Sequence, residues 1–135
     1  MLVVDASVVV AALIDDGPTG RWADQQLALD DLAAPHLMPV EVTNVLRRAE
    51  LSHDISDDVA ALAHADLCDL PVDLFEYELL SDRVWELRAN LTSYDACYVA
   101  LAEILDAPLL TLDLRVARAP GVDCGVLLPP AREPR

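Results

Sequence analysis

An α/β layer fold with a mostly parallel sheet is the architecture this chain predicts. Short aliphatic strand candidates alternate with helical patterns, and no hairpin signal joins any two strands. Hydrophobic residues make up 54% of the chain while aromatics make up only 4%, so the core must be built from Leu, Val, Ile and Ala. The 135 residues suffice for one compact domain with a real core and are too few for two. A single domain is expected over residues 1–128, with 129–135 as a loose tail.

The elements follow in order. Leu2–Val4 is a short buried strand ending at Asp5. "ASVVVAALI" follows as a helix, with Asp5 or Ser7 as its N-cap, and "DDGP" breaks it. Pro18 to Leu29 reads as a polar helix with Trp22 and Leu29 inward. "LAAPHL" is a strand and turn. Pro39 suits the first turn of a helix whose apolar face is Val42, Val45, Leu46 and Ala49. Ser56 caps a further helix with acids in its first turn and Val59, Leu62, Ala63 and Leu67 inward. "PVDLF" is a strand, and Leu79 to Asn90 is a helix with Leu80, Val84 and Leu87 inward. Ser93 to Leu105 is an almost wholly apolar helix. "PLLTL" is a strand ending at Asp113, "LRVARA" a short helix, and "VDCGVLL" a last strand.

Charge and cysteine content exclude several classes. The net charge is −15, all nine basic residues are arginines, and a field of that sign repels nucleic acid in general. Clustered carboxylates holding cations, or a basic partner covering them, would give that charge a purpose. Cys68, Cys97 and Cys124 are far apart and form no C-x-x-C pair, so neither a disulfide framework nor a zinc ribbon is indicated. His64 and Cys68 lie four apart on one helix, but no second ligand pair accompanies them. The apolar run Val8–Ile14 is far short of the ~18–20 residues of a membrane span, and the start lacks the basic flank of a signal peptide. A soluble, cytoplasmic protein is expected.

Four acids stand out by position. Asp5 and Asp113 end strands, and Glu41 and Asp95 lie in first turns of helices. Each has a local reading. Asp5 and Asp113 could cap the helices that follow, Thr92 with Asp95 resembles a capping box, and Glu41 sits where a helix dipole favours an acid. All four readings nevertheless place a carboxylate at a helix N-terminus, and in a parallel sheet the carboxyl ends of strands share one edge. Carboxylates gathered there repel one another unless a cation intervenes. A hard divalent ion removes that cost; Mg²⁺ suits oxygen ligands, with Mn²⁺ as a substitute. Ser7, Asn44, Thr92 and Thr111 lie two or three residues from an acid and are placed to orient it. No phosphate loop, G-x-G-x-x-G turn or G-x-S-x-G elbow competes.

"VVDASVVVAAL", "PVEVTNVLRR", "LTSYDACYVALAE" and "LLTLDLRVARA" resemble the four acidic blocks of PIN-domain proteins. Within that superfamily the chain is most similar to VapC-type toxins of bacterial toxin–antitoxin pairs. The likeness runs from Leu2 to about Val126, and the ordered set D-x-S, E-x-x-N, T-x-x-D, T-x-D is specific as a set. The resemblance implies a three-layer fold with a central parallel sheet flanked by helices. It implies a Mg²⁺-dependent endoribonuclease acting on RNA, with Asp5, Glu41, Asp95 and Asp113 as catalytic metal ligands. It also implies a homodimer and a cognate antitoxin laid over the active-site groove. One departure stands out: many relatives carry a further acid after the fourth, where this chain runs Asp113-Leu114-Arg115-Val116. One firmly bound ion, with a second recruited by substrate phosphate, is therefore expected.

Arg47, Arg48, Arg115 and Arg118 are the basic residues nearest the acids, set either to hold flanking phosphates or to pair with surface acids. Tyr94 is set either to stack a base or to pack at its helix start. Two rival functions remain open at this stage: a PIN-type nuclease of housekeeping RNA processing, and a catalytically silent module whose acidic groove binds a basic peptide.

Overall fold

The computed structural model describes residues 1–131. Five short parallel strands form one sheet in the order β3-β2-β1-β4-β5, where β1 is Leu2–Val4, β2 Leu32–Pro35, β3 Val72–Phe75, β4 Leu109–Leu110 and β5 Val126–Leu127. Every neighbouring pair is parallel. Leu2, Val3 and Val4 are all buried, as a strand covered on both faces requires. The sheet grows from β1 through β2 to β3 on one side, and β4 and β5 lie on the other. The order therefore reverses between β1 and β4, the place where open parallel sheets bind ligands beyond their strand ends.

The helices are α1 (Ala6–Ile14), α2 (Pro18–Leu27), α3 (Leu37–Leu51), α4 (Asp57–Asp69), α5 (Ser81–Glu86), α6 (Ser93–Leu105) and α7 (Leu114–Arg118). α1 packs against α2, α3 and α4, while α6 lies on β1, β2 and β4 and against α5. Ala96 to Ala102 of α6 are buried without a break, so this helix is apolar all round because it is covered all round. Gly20 lets α2 sit directly on the end of α1, since a Cβ there would collide with the Asp15 carbonyl.

Several boundaries and faces differ from the sequence expectation. α2 stops at Leu27, and the turn that follows turns Leu29 outward, 71% exposed. α3 begins at Leu37, which keeps Pro39 in its first turn as expected but puts Glu41 in the second, where it gains little from the helix dipole. α4 buries Ala60, Ala63 and Leu67, leaving Val59 and Leu62 exposed. Small residues let α4 approach α1 and α3 closely, and that contact outweighs the larger apolar residues beside them. The helix expected over Leu79–Asn90 is a 3₁₀ turn (Tyr77–Leu79) followed by the short α5, although Leu80, Val84 and Leu87 are buried as expected. β4 covers only Leu109–Leu110, so Asp113 lies three residues beyond the strand. Of the expected last two strands, Pro108, Thr111 and Leu112, and Val122 to Gly125 with Leu128, likewise fall outside β4 and β5.

The proposed tail lies partly within the described chain. Pro129–Ala131 border a pocket of about 230 Å³ with Pro18, Thr19 and Trp22, and residues 132–135 lie outside the described residues. No described helix is long and apolar enough to cross a membrane. The three cysteines are free thiols.

Candidate active site

Asp5 occupies the N-cap position of α1, yet its side chain does not cap the helix. Its backbone carbonyl accepts from the Val8 and Val9 amides, which leaves the carboxylate available for other partners. Oδ2 accepts two hydroxyls, from Ser7 at 2.9 Å and from Thr111 at 2.6 Å. Oδ1 takes no hydrogen bond among the described residues. The contact crosses the sheet's reversal point: the Asp5 amide donates to the Leu110 carbonyl at 3.0 Å, and Thr111 follows directly. Thr111 is completely buried. Its hydroxyl donates to Asp5 and accepts from the Asp113 amide at 3.1 Å, while the Ser7 hydroxyl accepts from the Leu112 amide at 3.2 Å. Two hydroxyls thus lock Asp5 to the loop after β4.

Asp95 and Glu41 share a different environment. Thr92 caps α6 by accepting from the Asp95 amide at 3.2 Å, so the capping reading of Thr92 holds locally. The Asp95 carboxylate, half-buried, is pushed above the usual carboxylate range, first by burial and then by the charge of Asp5; Thr92 and Arg115 pull it the other way. Glu41 is also pushed up, by burial first. A hydrogen bond from Tyr98 opposes that shift, and the charges of Asp5 and Asp95 add to it. The charge of Asp5 thus reaches both Glu41 and Asp95, although the three acids come from separate elements.

Asp113 stands differently. Its Oδ1 accepts from the Arg115 amide and Nε, and its Oδ2 from Arg115 Nη2, at 2.9, 3.2 and 2.9 Å. Asp113 both caps α7 and is clasped by Arg115, which holds its carboxyl below the usual range. For Arg115 the surface-pairing reading is the one observed, and its guanidinium is 88% exposed. Asp113 still adds its charge to that felt by Asp95.

A groove of about 460 Å³ opens from Asp5 and Glu41 between α1 and α3, lined also by Ser7, Val10, Asn44 and Arg48. Glu41, Asn44 and Arg48 recur along one face of α3 at helical spacing. Asn44 lines the groove but makes no side-chain hydrogen bond to an acid among the described residues. Arg48 places a cation at its far side, and Tyr94 is exposed at the start of α6. A second cavity, about 380 Å³ and lined by Glu103, Asp106 and Cys124, lies at the opposite end of α6 from Asp95.

Among the described residues no three acids, histidines or cysteines are already gathered closely enough to enclose a metal. The donor set fits one nonetheless. Its members are hard carboxylate oxygens, one of them with an unengaged Oδ1 fixed in place, and their mutual repulsion is the cost a divalent cation removes. His64 and Cys68 approach to 4.0 Å on the exposed face of α4, remote from this set in sequence and without further ligands among the described residues.

Sequence reasoning missed Tyr98. The sequence reads it only as part of the almost wholly apolar helix Ser93–Leu105, but its hydroxyl donates to Glu41 Oε1 at 2.9 Å. The available signal was its chemistry: a tyrosine buried on an apolar helix needs a partner for its hydroxyl, and the spacing of three from Asp95 pointed that hydroxyl toward the acids.

Residues 2–122 match the PIN domain, and the chain belongs to the PIN-domain family. Its relatives include Ribonuclease VapC1 of Mycobacterium tuberculosis, 44% identical over 127 residues that make up 93% of this chain and 96% of that one. Ribonuclease VapC9 of the same species is 38% identical over 130 residues, 96% of this chain and 99% of that one. These relatives place the chain in the VapC branch. Two solved structures share the fold. The crystal structure of Mycobacterium tuberculosis VapC20, a Sarcin-Ricin loop cleaving toxin, superposes with a TM-score of 0.68 at 16% identity, covering 87% of this chain and 93% of that one. FitAcB of Neisseria gonorrhoeae gives 0.67 at 15% identity, covering 96% and 98%.

Proposed function

We propose that the protein is a divalent-metal-dependent endoribonuclease that hydrolyses RNA phosphodiester bonds as the toxin of a type II toxin–antitoxin pair. The observation that carries this reading is Asp5, held across the sheet's reversal point by Ser7 and Thr111 and electrostatically coupled to Glu41 and Asp95. Relatives named as ribonucleases at 44% and 38% identity over nearly the whole chain support it. PIN-domain ribonucleases generally depend on a divalent metal; Mg²⁺ is the ion proposed here, with Mn²⁺ as a substitute.

Asp5, Glu41, Asp95 and Asp113 would hold that ion. When bound, it lowers the pKa of a water and neutralises charge on the scissile phosphate. The chain supplies the rest. Ser7 and Thr111 fix the Asp5 carboxylate so that its free oxygen points the same way in every molecule. Glu41 orients the attacking water or completes the ligand set. Arg48 draws a flanking phosphate into the groove, and Arg115 is free to do the same once Asp113 turns inward. A −15 surface repels RNA elsewhere, so binding concentrates where cations gather.

A cognate antitoxin bearing a basic residue and an apolar segment fits the same groove, and the cytoplasm, where RNA and antitoxin are found, is the proposed location. A homodimer is proposed through exposed apolar side chains such as Val59 and Leu62 of α4 and Leu79 and Trp85 around α5. The test expresses the wild type, Asp5→Ala and Asp95→Ala without a partner and maps cleaved RNA ends. Growth arrest and new ends in the wild type alone are expected. Equal arrest by both variants would refute a nuclease acting at these acids, and the mapped ends would separate toxin cleavage from housekeeping processing.

A further inference from the structure

Two of the acids, Asp5 and Glu41, are tied down in the same way. Asp5 has Oδ2 engaged by hydroxyls and Oδ1 unengaged. Glu41 has Oε1 engaged by the Tyr98 hydroxyl and Oε2 without a hydrogen bond among the described residues. In each case neutral hydroxyls occupy one oxygen and leave the other for a cation or a water.

The Tyr98 hydroxyl is well placed for this task. Its ring is 2% exposed, packed in the centre of α6, so its position is fixed by the core. The hydroxyl donates to Glu41 on α3 and lies near the Ala6 amide at the start of α1. It therefore bonds α6 to α3 beside the start of α1, with Asp95 three residues away on α6 and Asp5 just before α1. Glu41 needs such a tether more than the others do. It lies in the second turn of α3, away from the helix dipole, and its side chain is one methylene longer than that of aspartate, so it has more rotamers to lose.

We propose that Tyr98 is a positioning residue for the metal site: its hydroxyl holds Glu41 Oε1 and presents Oε2, locking the distance between the acid of α3 and the acids of α1 and α6. The inference rests on the metal-site reading above. It assigns a role within the reaction to a side chain whose surroundings would otherwise mark it as core.

The test is titration calorimetry of MnCl₂ into the full chain as wild type, Tyr98→Phe, Glu41→Gln and the double variant. Tyr98→Phe keeps the ring and removes only the hydroxyl. A packing role leaves Mn²⁺ affinity unchanged, whereas the proposed role weakens it about tenfold, as loss of a partner that orients a ligand commonly does. The double variant is expected to bind no more weakly than Glu41→Gln, because the hydroxyl acts only through that carboxylate. Affinity of Tyr98→Phe within about twofold of wild type, or losses that multiply in the double variant, would overturn the proposal. Glu41→Asp probes the same bond if Tyr98→Phe does not fold: the shortened acid cannot reach the hydroxyl, and wild-type affinity there also overturns it. The two readings separate cleanly. Absence of Mn²⁺ binding in the wild type removes the metal site and this proposal with it, whereas wild-type binding undisturbed in Tyr98→Phe removes only the role of Tyr98.

Discussion

Replacing Thr111 with valine tests how the site is held together. The two side chains have the same shape, so the change creates no cavity; it removes one hydroxyl that makes two hydrogen bonds. The bond to Asp5 Oδ2, 2.6 Å long, is made to a charged acceptor, and such bonds contribute roughly 1.5–3 kcal/mol. The second leaves the part-buried Asp113 amide without its acceptor, at a cost of about 1 kcal/mol. The methyl that replaces the hydroxyl returns some burial energy, so a net loss of about 2.5 kcal/mol is expected. A chain of 135 residues has an unfolding entropy of roughly 0.28 kcal/mol/K, which turns that loss into a fall in Tm of about 9 °C. Thr111→Ser keeps both hydrogen bonds and loses one buried methyl, costing about 1 kcal/mol. Thermal unfolding followed by far-ultraviolet circular dichroism, with a chelator present and protein concentration held constant, compares the two. If Thr111→Val melts at or above Thr111→Ser, the hydroxyl does not anchor Asp5 and the reasoning fails.

Two further outcomes are expected. Burial and neighbouring acids raise the carboxyls of Glu41 and Asp95 above their ordinary values of 4.5 and 3.8, so the folded chain loses stability as pH rises from those ordinary values through the raised ones. Glu41→Gln and Asp95→Asn should therefore unfold at higher temperature than the wild type at neutral pH without divalent ions. That advantage should shrink as pH falls through the raised values and be gone below the ordinary ones, and an advantage that grows on acidification would reverse the sign of the argument. Arg115→Ala should release Asp113 from its clasp; calorimetry is expected to show Mn²⁺ binding at least as tight as in the wild type, while affinity for a non-cleaved single-stranded RNA falls, and weaker Mn²⁺ binding would instead make Arg115 a support of the site.

Local chemistry was enough for the framework. Strand-and-helix alternation, the stop at Asp5, the cap at Ser56 and the full span Ser93–Leu105 depend on neighbours within a few residues, and all are present in the fold. The ordered acidic blocks likewise pointed to one strand edge and to the family. Helix faces were less legible where two apolar stripes competed. On α4, Ala63 and Leu67 are buried as expected, but Val59 and Leu62 looked better suited to burial than Ala60; close helix approach selects the small residue, and no single-helix pattern reveals that.

What the sequence by itself determined is the set of acids and the elements that carry them, because periodicity, caps and breakers act locally. Tertiary structure alone decided how those acids are used. It freed the Asp5 carboxylate from capping by bringing Thr111 across the reversal point, 106 residues away in sequence. It left Asp113 with Arg115 beside it and gave Glu41 a tyrosine partner 57 residues distant. Hydrogen bonds across such separations depend on which strands pair and which helices meet, and the packing of the whole core settles that.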